Sequence, residues 1–161
     1  MRKKIYQQGK LYMCESIEDD IERIYPFMRQ IDKLECSCTG YTPKEALEVA
    51  LGSDTVTYTA FDPYDVPFAM FGTGFLNYEG DGYVWMLATD ALFDHKFDFL
   101  RGSKFVVNTL VEPYKEARNF VHKENKASIA WLKWCGAEMG EEYTFSDQPF
   151  IKFKITKKEK E

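Results

Sequence analysis

Asn125-Lys126-Ala127-Ser128-Ile129-Ala130-Trp131-Leu132-Lys133-Trp134-Cys135-Gly136-Ala137 is the stretch whose reading decides the fold. Asn125 has a side-chain oxygen suited to cap a helix start. Ile129, Leu132 and Cys135 then recur at helical spacing, which gives one face to bury. Gly136 ends the run, as a residue free to turn left-handed does at a helix C-terminus. Trp131 and Trp134 fall on a different side, a face for a covering loop or a second subunit. Strand-like segments flank the helix, Arg118 to His122 before it and Glu142 to Phe145 after it. A short helix between two strands packs on the sheet they share.

Working outward, Phe150 to Ile155 pairs with Glu142 to Phe145 to close the chain. Upstream, a long helix opens near Asp94, with Phe99, Ser103, Val106, Leu110 and Tyr114 on one face and Pro113 near its end. Three strands precede it: Thr55 to Phe61, Val66 to Phe75 and Tyr83 to Ala88. The last is almost continuously apolar, the mark of a central strand. Asp62 to Asp65 and Asn77 to Gly82 are the turns between them. Gly72 and Gly74 inside a strand predict a bulge or a close approach. Thr42-Pro43-Lys44-Glu45 opens a helix with a capping box and Pro at its first position, running to Leu51 and stopping at Gly52. Ahead of it, Glu35 to Tyr41 is loop-like. Ser16 and Asp19 resemble a cap for an apolar pattern at Ile21, Ile24, Tyr25, Met28 and Ile31, which Pro26 kinks or splits. Leu11 to Glu15 is the first strand. The element order is α+β: a mixed central sheet of about seven strands with helices on both faces. Residues 1–156 read as one domain, and Lys157 to Glu161 as a charged tail.

The 161-residue chain is 16% aromatic, which fits a packed core and not a disordered segment. Its net charge of −5 weighs against a general binder of nucleic-acid backbone. No uncharged apolar run reaches the roughly 18 residues of a membrane span, and the basic N-terminus lacks the apolar core of a secretory signal. Cys14, Cys36, Cys38 and Cys135 lack the second close pair or the nearby His of a zinc site, so no metal is expected and reduced intracellular thiols are the simplest reading.

The Asn125 helix, with Asn at its cap, Ser128 three places on and Gly136 at the end, resembles the second acyl-CoA-binding motif of the GCN5-related N-acetyltransferase (GNAT) superfamily. The order of elements is also that of the GNAT fold. The resemblance implies acetyl-CoA as cofactor. Its pantetheine arm would run between two splayed strands, Val84 to Thr89 and Arg118 to His122, bonded by free backbone near Leu87 and Thr89. Its pyrophosphate would meet the next helix start near His95 and Lys96, with Asn125 and Ser128 on the far side. The acceptor amine would enter opposite, near Arg29 and Tyr41.

Two departures stand out. Asp90-Ala91-Leu92-Phe93-Asp94-His95-Lys96-Phe97 holds no glycine where the family has several, and Asp90 and Asp94 would repel a phosphate. Leu132 occupies the place of the Tyr that protonates the leaving thiolate in many members. The catalytic candidates that remain are Asp90, His122 and Tyr83, none with an evident partner in the sequence.

The chain also looks like a phage-borne subgroup related to the internal virion protein A family of short-tailed phages. The match rests on Met28-Arg29 with Glu35, Glu45-Ala46-Leu47, Pro67 to Gly72, Trp85 to Asp90, the Asn125 helix, and Pro149-Phe150 with Phe153. That implies action in the host cytoplasm or in a phage particle, with phage structural proteins among the partners. Two readings follow: an acyl-CoA-dependent N-acetyltransferase acting on a protein or small amine, or an inactive GNAT scaffold for binding or virion morphogenesis. A homodimer through the tryptophans and the absence of membrane or general nucleic-acid partners complete the expectations.

Overall fold

The computed structural model describes residues 2–157. Its single mixed sheet is built largely from the β-branched and aromatic runs already noted. Eight strands lie in the order β1-β2-β3-β4-β5-β6-β8-β7. They are β1 (Tyr6–Gln8), β2 (Leu11–Glu15), β3 (Val56–Phe61), β4 (Pro67–Phe75), β5 (Gly82–Ala88), β6 (Glu116–His122), β7 (Glu138–Phe145) and β8 (Gln148–Thr156). The helices are α1 (Glu18–Ile24), α2 (Gln30–Cys38), α3 (Pro43–Ser53), α4 (Lys96–Val111) and α5 (Lys126–Trp134). The α+β architecture expected from the sequence stands, with eight strands in place of about seven. The added one, β1, forms a tight hairpin with β2 (Tyr6↔Met13) that the basic N-terminal composition does not advertise. Of the charged tail, residues 158–161 lie outside the described residues.

Local chemistry explains most boundaries. Thr42 Oγ1 accepts the Glu45 N–H at 3.2 Å, and Glu45 Oε1 accepts the Thr42 N–H at 3.3 Å, so α3 starts with the expected capping box. It runs through Gly52 to Ser53, two residues past the expected end at Leu51. The α1 cap is shifted by one: Asp20, not Asp19, reaches back, accepting the Ile17 N–H at 3.0 Å. Ser16 instead bonds Thr59 on β3 at 2.7 Å. Pro26 sits in a 3-10 turn, Tyr25–Phe27, that separates α1 from α2 as its missing N–H requires. The stretch from Glu35 onward was expected to be a loop, yet α2 continues to Cys38. Helical Cys-Ser-Cys is favoured here by packing of Cys36 against α1 and α3, which overrides weak propensity.

The core has three parts on two faces. Ile21, Ile24, Cys36 and Leu47 from α1–α3 cover Met70, Trp85 and Leu87 on one face. Leu110 of α4 covers Phe71 and Ala88 on the other, where Val107 and Val111 also meet Val84, Val121 and Leu132. In the β7–β8 hairpin, Ser146 (φ 48°) and Asp147 (φ 61°) supply the two left-handed residues of a tight turn. Ser146 Oγ donates to Cys38 O at 3.1 Å, tying that hairpin to the end of α2.

Gly72 and Gly74 mark a close approach, as expected. A Cβ on Gly72 would overlap the Asp54 carboxylate, and one on Gly74 would overlap the Tyr83 hydroxyl. Asp54 accepts from Tyr83 Oη, Trp85 Nε1 and Thr57 Oγ1, and this network lies across the glycine faces of β4.

A candidate acyl-transfer cleft between β5 and β6

Strands β5 and β6 are parallel neighbours but pair only at Gly82↔Ala117 and Tyr83↔Arg118. One step on, the Asn119 side chain donates to Val84 O at 2.8 Å, the last tie before the strands part. Beyond it a cavity of about 500 Å³ occupies the gap. Its walls come from both faces of the sheet: Ser103 and Val107 of α4, Ala46 and Ala50 of α3, and the β5 run Val84 to Leu87 between them. The cavity therefore passes through the sheet where the ladder is broken.

Successive residues of a strand turn their N–H and C=O to alternate edges. Thr89 donates its N–H to Phe68 O at 2.9 Å, toward β4. Ala88 faces the gap, because its O accepts the Arg29 N–H at 2.9 Å and its N–H is donated to Asp32 Oδ2 at 2.9 Å. By the same alternation Met86 also faces the gap, while Leu87 faces β4, in register with Met70. The sequence expectation of gap-facing backbone at Leu87 and Thr89 is thus one residue out of phase. The parity is set by pairing with β4, which a continuous apolar run does not encode.

Helix α2 lies over the gap and fills the places where strand partners are missing. Asp32 takes the β5 edge at Ala88. Glu35, one turn later, takes the β6 edge: its Oε1 accepts the His122 N–H at 2.9 Å and Asn125 Nδ2–H at 3.0 Å. Glu35 is half-buried and lines the cavity, and burial pushes its carboxyl above the ordinary value of 4.5 despite those two donors. Its Oε2 makes no hydrogen bond among the described residues, leaving that oxygen for a ligand. Arg29, only 4% exposed, is held by Asp32 through Nε (2.8 Å) and Nη2 (2.9 Å). The same Nη2 reaches Ser128 Oγ at 3.2 Å, so the pair spans the gap mouth from α2 to α5.

Asn125 is buried and caps α5, its Oδ1 accepting the Ser128 N–H at 3.3 Å. Ser128 and Trp131 line both the main cavity and a smaller one of about 100 Å³ between the starts of α4 and α5, where Arg29 and Lys96 also stand. Trp131 Nε1 is buried with no hydrogen-bond partner among the described residues. Leu132 packs into the core.

The turn ahead of α4 is a 3-10 helix, Asp90–His95, capped by Thr89 and not by Asp94: Thr89 Oγ1 accepts the Ala91 N–H at 3.3 Å. Asp90 and Asp94 are exposed on it, and His95 leans on the Phe68 ring at 5.6 Å.

The other catalytic candidates are already engaged. His122 is buried, its Nδ1 accepting the Glu124 N–H at 3.0 Å, which leaves Nε2–H to donate to Gln148 Oε1 at 2.8 Å. Tyr83 donates to Asp54 at the closed end of the gap, and burial with that carboxylate pushes its hydroxyl up to about 12. Cys36 and Cys135 are pushed up by burial to about 12 and about 11, which makes them inert thiols at neutral pH. Among the described residues no cluster of His, Cys, Asp or Glu could hold a metal, and no helix is long and apolar enough to cross a membrane.

A mixed sheet opened between two parallel central strands, with helix starts on one side of the opening, defines the GNAT acetyltransferase fold. Solved structures bear this out. A GNAT-family acetyltransferase from Bacillus anthracis superposes with a TM-score of 0.69 over 93% of this chain and 96% of its own, at 8% identity. The aminoglycoside acetyltransferase AAC(6')-Ib in complex with coenzyme A matches with a TM-score of 0.64 over 91% and 94%, at 15% identity. The ribosomal-protein-S5-alanine acetyltransferase from Vibrio fischeri matches at 0.65 over 94% and 95%, at 10% identity. No protein-family model and no curated protein matches the sequence. The likeness is one of fold.

Glu35 is the cavity-lining acid that the sequence reading did not place among the site residues. The signal available was a lone acid one turn after Asp32, masked by reading Glu35 to Tyr41 as a loop.

Proposed function

We propose that this chain is an acyl-CoA-dependent N-acyltransferase of GNAT type. The observation that carries the reading is the cavity passing through the sheet between β5 and β6. It lets an acyl arm approach from the α4–α5 face and an amine from the α2–α3 face, so that they meet in the gap.

The residues present fit such an arm. Trp131 Nε1–H, buried and unpaired, is a donor awaiting an acceptor. Met86 turns its backbone groups to the gap, and Ser128 and Asn125 stand at the start of α5. His95 and Lys96 at the α4 start are the groups we assign to the phosphates, with the helix N–H groups behind them. When bound, acetyl-CoA supplies an activated acyl carbonyl. Glu35 Oε2 accepts the proton of the incoming ammonium, so the nitrogen presents a lone pair. Its Oε1 stays anchored by His122 N–H and Asn125, which holds the carboxylate at the gap. The apolar walls exclude water and favour amine over hydroxide as nucleophile.

A second reading, an inactive scaffold, draws on a different observation. Arg29 and Asp32 already occupy both gap-facing groups of Ala88, and the turn Asp90–His95 is free of glycine with two exposed acids. A phage-borne source, action in the host cytoplasm or a particle and phage structural partners are parts of the proposal that rest on the sequence resemblance alone. Of the two tryptophans expected to form a dimer face, Trp131 turns into the cavity, so a homodimer rests on the exposed Trp134 alone.

Calorimetric titration with acetyl-CoA, followed by melting curves, tests the choice. Ligand at 100 times its dissociation constant raises stability by about 2.7 kcal/mol. No heat and no melting shift at millimolar acetyl-CoA would end the transferase reading. Binding without transfer to any amine would select the scaffold.

A further inference from the structure

The chamber on the α2–α3 side of the gap is unlike a site for a highly charged acceptor. Ala46 and Ala50 form its helical wall, and Trp85, Phe120 and Phe145 its sheet wall. Phe120 meets Phe145 edge-on at 5.0 Å, and the tie from Ser146 to Cys38 holds that hairpin beside α2. Two charged residues line the whole cavity, Glu35 and Asp98. Asp98 belongs to the α4 face, where it pairs with Arg101 at 3.4 Å. Glu35 is therefore the single charged lining residue of the acceptor side, among the described residues.

One carboxylate oxygen can pair one ammonium. Each further ammonium or hydroxyl brought into an apolar, aromatic chamber gives up its water without a partner, which costs several-fold to many-fold in affinity. The aromatic faces favour the opposite kind of molecule, a single cation on an apolar body, through ring contact and cation–π attraction.

We infer that the acceptor is a small primary monoamine with an apolar, ring-bearing or alkyl body, its ammonium paired with Glu35 Oε2. The inference rests on the acyltransferase reading for its consequence, but amine binding itself does not need the acyl donor. Polyamines, aminoglycosides and lysine-bearing peptides are then poor acceptors.

The test titrates phenethylamine, hexylamine, spermidine, kanamycin and a lysine-containing peptide into the full chain and into Glu35→Gln. Melting curves of both proteins confirm that each is folded. Release of free thiol from acetyl-CoA is then followed with each amine. The monoamines are expected to bind the wild type at least 10-fold more tightly than they bind Glu35→Gln. They should also give kcat/KM at least 10-fold above spermidine, kanamycin and the peptide. If acetyl-CoA fails to bind while phenethylamine still binds through Glu35, the monoamine site stands and the transferase reading, with the acceptor role, falls. If acetyl-CoA binds but spermidine, kanamycin or the peptide is the better acceptor, the transferase reading stands and the inference is overturned. Equal monoamine binding by Glu35→Gln, or no monoamine binding at all, also overturns it.

Discussion

Asp32 and Glu35 stand one turn apart on α2, and each accepts a backbone N–H from a different strand, Ala88 of β5 and His122 of β6. The helix thereby satisfies one N–H on each of the two edges that the parting of the strands leaves open. An orphaned N–H there would cost about 1–3 kcal/mol, so α2 stabilises the cleft by being seated over it. The two acids differ in their remaining capacity. Asp32 is spent on Arg29, whereas Glu35 keeps one oxygen for the cavity.

Glu35→Gln separates structure from chemistry. The amide oxygen can still accept from His122 N–H and Asn125, so folding is retained. Loss of the proton acceptor lowers kcat by about 10²–10⁴, the range for a general base. Because burial raises the Glu35 carboxyl, wild-type kcat/KM climbs with pH through that raised value.

The same shift makes a stability prediction. The folded state holds the Glu35 proton more tightly than the unfolded chain does. That contribution is complete below the ordinary value of 4.5 and is lost as pH rises through the folded value. Urea denaturation of wild type and Glu35→Gln should give similar stabilities at acid pH, with the variant gaining on wild type as pH rises to neutrality. A gap that widens in the opposite sense would contradict the assignment.

Arg29 and Asp32 form a buried pair, and halves of such pairs are expensive to keep. Asp32→Ala strands the Arg29 guanidinium and the Ala88 N–H, for a loss of about 3–5 kcal/mol by urea denaturation. The double variant Arg29→Met/Asp32→Leu should recover much of that loss, since no buried charge remains.

Trp131→Phe removes the unpaired indole N–H while keeping a ring against Phe99, whose centroid is 5.5 Å away. The free protein should become more stable by about 1 kcal/mol. Affinity for acetyl-CoA should fall by about 5–10-fold, the worth of one hydrogen bond. Paired denaturation and calorimetry check both signs at once.

Two glycines give opposite outcomes. Gly74→Ala places a methyl on the Tyr83 hydroxyl and should cost about 1–3 kcal/mol as overpacking. Gly52 lies in α3 with open space around it, so Gly52→Ala should add about 0.5–1 kcal/mol through helix propensity. Urea midpoints of the two variants should move to either side of wild type.

The sequence carried the architecture where local signals agreed with the fold. Thr42 with Glu45, Pro26 and the Asn125 cap each combine a chemical reason with a position, and each is found in place. It failed where tertiary contact decides. Helix α2 extends through Cys38 because of what Cys36 packs against. The phase of β5 follows from β4, so Met86 and Ala88 face the gap, and nothing in an apolar run distinguishes them from Leu87. Glu35 was lost with the helix that carries it. His122 and Tyr83 were named for their chemistry, but their hydrogen bonds had no sequence signature, since Gln148 and Asp54 lie far along the chain.

The two-residue junction at Gly82 and Tyr83 means that the protein is, mechanically, a pair of smaller sheets joined at a hinge. Five strands lie on one leaf and three on the other, and α2 is the strap between them. Beyond that junction the leaves are joined by bonds of single residues, among them Asn119 to Val84, Arg29 to Ser128, Glu35 to His122, Ser146 to Cys38 and Arg118 to Asp81. Substitutions at Asp32 and Glu35 of α2 therefore act on the opening without touching the strand pairing inside either leaf.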